Sequence, residues 1–352
     1  TTEIYTLSLH DALPILSAQA DSEEIVTLEG DPLLLQAIRE TAGSNEVTKR
    51  MLSGITRIAV IGDQIYTEET PVEDLENIVY QDGFNDGMVN GGITDLSVLT
   101  NLPNLKEVFL CNQKISDISP LQELPIEGLY VCGNQIKDFS PVEKMQELST
   151  LYLVDNPVGK MPQLSGCTKL TRLALCGNDY GTLDFLQGSS VCNLYAMGIY
   201  VEDESFGVLS TMQSLTELYT GSEQKQFYEI LPELTELRTL SLWGGNFGTD
   251  LTIVSKLVNL QNLFVNDEFV TSLSGIENLQ RLEVFCMDGT NATDISPLTK
   301  LPRLQVVRLQ GVPIVEFAPL FSCHSLQEVE ADSSQKEKIE QLGDPFFMIS
   351  VE

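Results

Sequence analysis

From Ile55 onward an apolar residue, usually leucine, returns every 21 to 23 residues along most of this chain. Segments aligned on that residue begin at Ile55, Leu105, Ile126, Leu148, Leu170, Leu215, Leu237, Leu260, Leu282, Leu304 and Leu326. Cys192 falls on the same grid, and a weaker unit near Gly83 carries ITDLSVL from Ile93. A period of this length marks a stacked array, because one such unit cannot bury its apolar face alone.

Numbering each repeat from its first apolar residue makes the pattern physical. Positions 4 and 6 alternate as a short strand requires, and positions 1, 11, 14, 17 and 20 are apolar as well. Strand and return arm therefore face one core, and stacked strands form a parallel ladder at about 4.8 Å per rung. Position 9 holds Asn134, Asn156 and Asn178, where a buried amide can bond the backbone as the chain leaves the strand. Asp63, Gln113, Glu223, Gly245, Glu268, Thr290 and Val312 interrupt that series elsewhere.

The repeats resemble bacterial leucine-rich repeats of the internalin kind. Their pattern LxxLxLxxNxIxDISPL is nearly reproduced from Leu105 to Leu121, and NATDISPLTKL and NQIKDFSPV repeat its return arm. The resemblance implies an α/β repeat fold: a right-handed leucine-rich-repeat solenoid with parallel strands on the concave face and helical N- and C-terminal caps. It covers 55–334, about 12 repeats, irregular at 66–92 and 191–228. It also implies a bacterial protein at the cell surface or secreted.

Residues 16–54 read as a linker and helical N-terminal cap. Asp31-Pro32 opens an amphipathic helix with Leu33, Leu34, Ala37 and Ile38 apolar, and a second short helix is expected at Thr48 to Leu52. Residues 335–352 read as the C-terminal cap, a charged helix over Ser334 to Leu342 followed by a closing strand from Phe346 to Val351. The insertion at 66–92 carries Glu68, Glu69, Glu73, Asp74 and Glu76. It reads as a solvated loop plus helix, or as a binding lip.

Residues 1–15, TTEIYTLSLHDALPI, resemble the translation of a common short-read sequencing adapter. The segment has no basic region and too short an apolar run for a secretion signal. On this reading the natural N-terminus, with any signal, anchor or upstream domain, is missing.

Composition limits the partners. With 20 basic and 51 acidic residues the formal charge is −31, which argues against nucleic acid and anionic membranes as ligands. No stretch is long and apolar enough to cross a membrane. Histidine occurs only at His10 and His324, and GxSxG, HExxH, P-loop and GxGxxG motifs are all missing. No enzyme activity, cofactor or metal is expected. The seven cysteines have no CxxC spacing. Cys167, Cys192 and Cys323 sit at core positions, while Cys111, Cys132 and Cys176 share position 7 and Cys286 takes position 5. Free thiols are expected, since a Cys111–Cys132 bridge would need side chains that run side by side to converge. Free thiols suit a reducing compartment.

The outward positions 3, 5 and 7 carry the binding signal. Phe109, Tyr130 and Tyr152 form one aromatic patch; Tyr219, Trp243 and Phe264 form a second, with the small residues Ala174 and Ala196 between them. Glu107, Glu217 and Glu330 lie on the same face with Arg57, Arg172 and Arg308. Aromatics are enriched at interface hot spots, although β-propensity alone also favours them in strands. The leading expectation is a non-catalytic module that binds a protein or peptide, with a glycan as a further ligand class. The alternative is a sensor or scaffold arm of a larger membrane-anchored or enzymatic protein. One consequence is simple: deleting residues 1–15 should leave the melting temperature unchanged in scanning calorimetry.

Overall fold

What lets so short a repeat stack is a left-handed residue at its eighth position. Gly62, Gly133, Gly177, Gly244, Gly289 and Gly311 all have φ between 60° and 74° there, and Asn112 and Asp155 adopt φ 56° and 54°. Glycine, asparagine and aspartate tolerate this region best. The turn sends the chain off the strand and into the return arm. The computed structural model describes residues 23–80, 89–221, 224–245 and 247–351. The adapter-like segment lies outside them. Backbone packing divides the chain into two units, Thr1–Pro162 and Gln163–Glu352.

In the first unit, α1 (Pro32–Ala42) starts at Asp31, whose carboxylate accepts from the Leu33 amide at 3.1 Å, and ends at Gly43 with φ 67°. Its Leu34, Ala37 and Ile38 are buried. Helix α2 (Lys49–Gly54) follows, with the Thr48 hydroxyl accepting from the Met51 amide. Strand β1 (Arg57–Ile61) turns at Gly62 into β2 (Gln64–Tyr66), which pairs with it antiparallel. The insertion then forms α3 (Val72–Tyr80) before β3 (Glu107–Cys111), β4 (Gly128–Tyr130) and β5 (Thr150–Tyr152). The sheet order is β2-β1-β3-β4-β5, parallel except for β2.

The second unit continues the same plan with β6 (Arg172–Ala174), β7 (Asp179–Gly181), β8 (Asn193–Met197), β9 (Tyr200–Val201) and β10 (Glu217–Gly221). Short helices α4 (Gly207–Thr211) and α5 (Lys225–Ile230) flank β10. Strands β11 (Thr239–Trp243), β12 (Asn262–Asn266), β13 (Val284–Cys286), β14 (Val306–Arg308) and β15 (Glu328–Ala331) lead to α6 (Ser333–Glu340) and β16 (Met348–Val351). From β6 to β16 the ladder is parallel, and β7 with β9 forms a separate small parallel pair.

The irregular stretch contains a slip. Strand β8 aligns Leu194 with Leu218 and Tyr195 with Tyr219, so this repeat starts at Val191 and not at Cys192. Val191 is fully buried while Cys192 is partly exposed, which corrects its expected core placement. Gly198, with φ 62°, is the eighth residue counting Val191 as the first, the same position as in most other repeats.

The DISPL arm has a local cause. Asp95, Asp117, Asp138 and Asp294 each accept from the amide of the serine two residues on, at 2.8 Å. Each opens a short 3-10 turn, with proline at its start in three of the four, and its apolar residues point inward. The amide series also has a definite role. Asn156 accepts from the Ile136 amide at 3.1 Å and donates to the Val131 and Leu153 carbonyls. Asn134 accepts from Ile115 and donates to Leu110 and Val131. Asn178 donates to the Leu175 carbonyl and to the Tyr180 hydroxyl. Where asparagine is missing, other amides bond the backbone: Gln113 donates to Gly62 and Cys111, and Gln335 of α6 donates to Leu309 and Val312. Asn156→Ala should lower stability by about 1–3 kcal/mol by stranding buried backbone groups. Exposed Lys137→Ala should leave the urea midpoint unchanged.

Candidate binding surface

Strand alternation points position 5 away from the core, and the ladder sets those side chains in one row. In the first unit the row reads Ala59, Phe109, Tyr130, Tyr152. All four are buried, with at most 2% exposed. This corrects the expectation of an exposed first patch. Phe109 stacks on Tyr130 with ring centroids 3.9 Å apart and planes within 6°, and Tyr152 meets Tyr130 edge-on at 4.9 Å. Helix α3 reaches Tyr130 of this row. Its Glu76 accepts a short hydrogen bond from the Tyr130 hydroxyl, and Leu75 and Val79, one turn apart on one helical face, are buried. The acidic insertion is therefore only half solvated.

Two anchors hold the segment before α3. The Arg57 guanidinium donates to the Thr67 and Thr70 carbonyls at 3.0 and 2.7 Å. The Glu68 carboxylate accepts from the Thr56 amide and hydroxyl and from the Arg57 amide. After the insertion, the Gly91 amide donates to the Asn112 carbonyl and the Ile93 amide to the Gln113 side chain.

Glu107, at position 3 of its repeat, opens β3 beside Tyr130. One carboxylate oxygen would lie 2.0 Å from a Cβ at position 128, so a larger residue there would have to move the Glu107 side chain. The same oxygen is buried without a hydrogen-bond partner. Burial, then the charges of Glu127 and Glu76, push this carboxyl up to about 7 against the weaker pull of Arg57 and Lys106.

The second unit presents a partly open row, with Ala174, Ser241 and Cys286 buried in it. By register it reads Ala174, Tyr195, Tyr219, Ser241, Phe264, Cys286, Arg308, Glu330, Ser350. The slip brings in Tyr195, which the leucine alignment missed, and turns Ala196 inward, where it is 4% exposed. Tyr195 stacks on Tyr219 at 4.3 Å and 13°, so a ring and not a small residue lies next to Tyr219 in this row. Trp243 is 45% exposed, and its indole donates to the Ser241 hydroxyl at 2.7 Å. Phe264 is half-buried on the next strand.

Polar groups fix these rings. Glu217 accepts from the Asn193 amide at 2.9 Å and from the Tyr219 hydroxyl at 3.5 Å. Burial, with Tyr195 and Glu217 nearby, raises the Tyr219 phenol far above its usual range, so it remains a donor at neutral pH. Further along, Arg308 pairs with Glu330 and lies 3.7 Å from Asp288. Burial pushes the Cys286 thiol up to about 12, so it is not a ready nucleophile. Among the described residues, no three His, Cys, Asp or Glu side chains converge as a metal site. No helix there is long and apolar enough to cross a membrane.

No family model matches this sequence, and no curated protein matches it. Solved structures do. An internalin, InlF, from Listeria monocytogenes is similar with a TM-score of 0.61 and 21% identity, over 92% of this chain and 90% of that one. The functional domain of InlJ from Listeria monocytogenes, which includes a cysteine ladder, is similar with a TM-score of 0.51 and 14% identity. That likeness spans 90% of this chain and 63% of InlJ. At these identities the likeness shows the fold, and with the ladder described above the chain is a leucine-rich-repeat solenoid of internalin-like architecture.

Proposed function

We propose that this chain is a non-catalytic module that binds a protein or peptide through the open aromatic row of the second unit. The observation carrying this reading is the half-exposed run Tyr195, Tyr219, Trp243 and Phe264 on adjacent strands, oriented by polar contacts that lie beneath or beside the rings. Such rings offer large contact area with few rotatable bonds. The proposed site keeps Tyr219, Trp243 and Phe264 and gains Tyr195. Phe109, Tyr130 and Tyr152 leave it, because they are buried. The net charge of −31 supports a neutral or basic partner, whose association rate would fall with added salt.

A displayed random-peptide library panned against the whole chain tests this. Binders should lose about 2 kcal/mol or more, roughly thirtyfold in Kd, on Trp243→Ala or Tyr219→Ala, with the circular dichroism spectrum unchanged. Lys137→Ala should have no effect. If the selected peptides are insensitive to both aromatic changes, the site lies elsewhere.

A further inference from the structure

Past Phe264 the outward row of the second unit changes character. Its next members by register are Cys286, Arg308, Glu330 and Ser350, so rings give way to a thiol and then to charge. The Arg308 guanidinium donates to Glu330 and lies 3.7 Å from the Asp288 carboxylate. One cation thus stands between two anions, and this end of the row is short of one positive charge.

Hydrogen bonds are missing at the same place. Among the described residues, Asp288 Oδ1 meets no donor, Gln310 Nε2 meets no acceptor and the Ser350 hydroxyl has no partner, although all three atoms are buried. Buried polar atoms are almost always paired. Asp288 follows β13 and Gln310 follows β14, at the same repeat position on neighbouring rungs. The Asp288 side chain is 30% exposed, so a small turn of its carboxylate brings the unpaired oxygen to an incoming donor. A group that completes this cluster must donate to Asp288, accept from Gln310 and carry positive charge. An acidic ligand is opposed by both carboxylates and by the net charge of −31. An arginine or lysine residue of a peptide meets all three demands, its side chain donating to Asp288 and its backbone carbonyl accepting from Gln310.

We propose that the aromatic row and this cluster form one peptide site, in which Trp243 and Phe264 receive an apolar side chain and Asp288 pairs with an arginine or lysine of the same peptide. This rests on the aromatic row being the peptide site, and it adds the partner's chemistry and spacing. Trp243 pairs with Asn266, and the register of Phe264 with Cys286 continues to set Asp288 beside Asn266. Trp243 and Asp288 are therefore two rungs apart, about 10 Å, which an extended peptide crosses in about three residues.

Random dodecapeptides displayed on phage and panned on the whole chain supply the probes. Peptides weakened by Trp243→Ala should carry an arginine or lysine about two to four residues from an aromatic or large aliphatic one. Replacing that basic residue by glutamine in a synthetic copy should raise Kd about tenfold or more. Asp288→Asn, which removes the charge and keeps the shape, should raise it similarly with an unchanged circular dichroism spectrum. On that variant the glutamine replacement should add little, as a direct pair requires. Peptides that need Trp243 but carry no basic residue, or whose basic residue counts equally with and without Asp288, overturn this assignment and leave the aromatic row standing. Peptides indifferent to Trp243→Ala remove both.

Discussion

Everything in this chain depends on the chain leaving its strand abruptly. A three- to five-residue strand has too few backbone bonds to persist alone, and it gains partners only if the return arm brings the next strand alongside in register. The left-handed residue at the eighth position makes that exit, and the buried amide behind it bonds carbonyls the turn would leave unpaired. Leucines then supply the driving force, because each rung buries apolar area only against its neighbours. The tolerance for Gly, Asn or Asp at the turn, and for Asn or Gln behind it, shows that the geometry is what recurs.

With the ladder fixed, the outward face is free to vary, and the two units use it differently. In the first, the stacked rings are buried, and a helix inserted between β2 and β3 bonds the Tyr130 hydroxyl. In the second, equivalent positions remain partly open to water, and the rings are held by Glu217, Ser241 and each other. The same repeat position thus yields core in one place and surface in another.

That difference explains what the amino-acid pattern revealed. Parallel stacking, both caps and the DISPL arms were readable because each is local: a period, an Asp31-Pro32 start, an aspartate two residues before a serine. The slip at Val191 was not read from leucines, because Cys192 is apolar enough to pass at position 1. Gly198 carried the missing signal, as its eighth-position place fits only the earlier start. Burial of Phe109, Tyr130 and Tyr152 was hidden for another reason. Alternation states which way a side chain points, not what lies over it. The acidic composition of the insertion also masks Leu75 and Val79, whose four-residue spacing marks an apolar helical face.

The hairpin of β1 and β2 has a consequence for how such an array could lengthen. Within each unit every other strand of the ladder runs parallel to its neighbours, so a duplicated repeat could slide between two of them and keep every hydrogen bond in kind. At β2 the direction reverses within two residues of Ile61, and the edge it presents is antiparallel. A repeat added before β1 would have to displace β2 to reach the ladder. Growth by duplication is therefore directional: new rungs can arise downstream of β1, while the hairpin acts as a fixed origin from which the count proceeds.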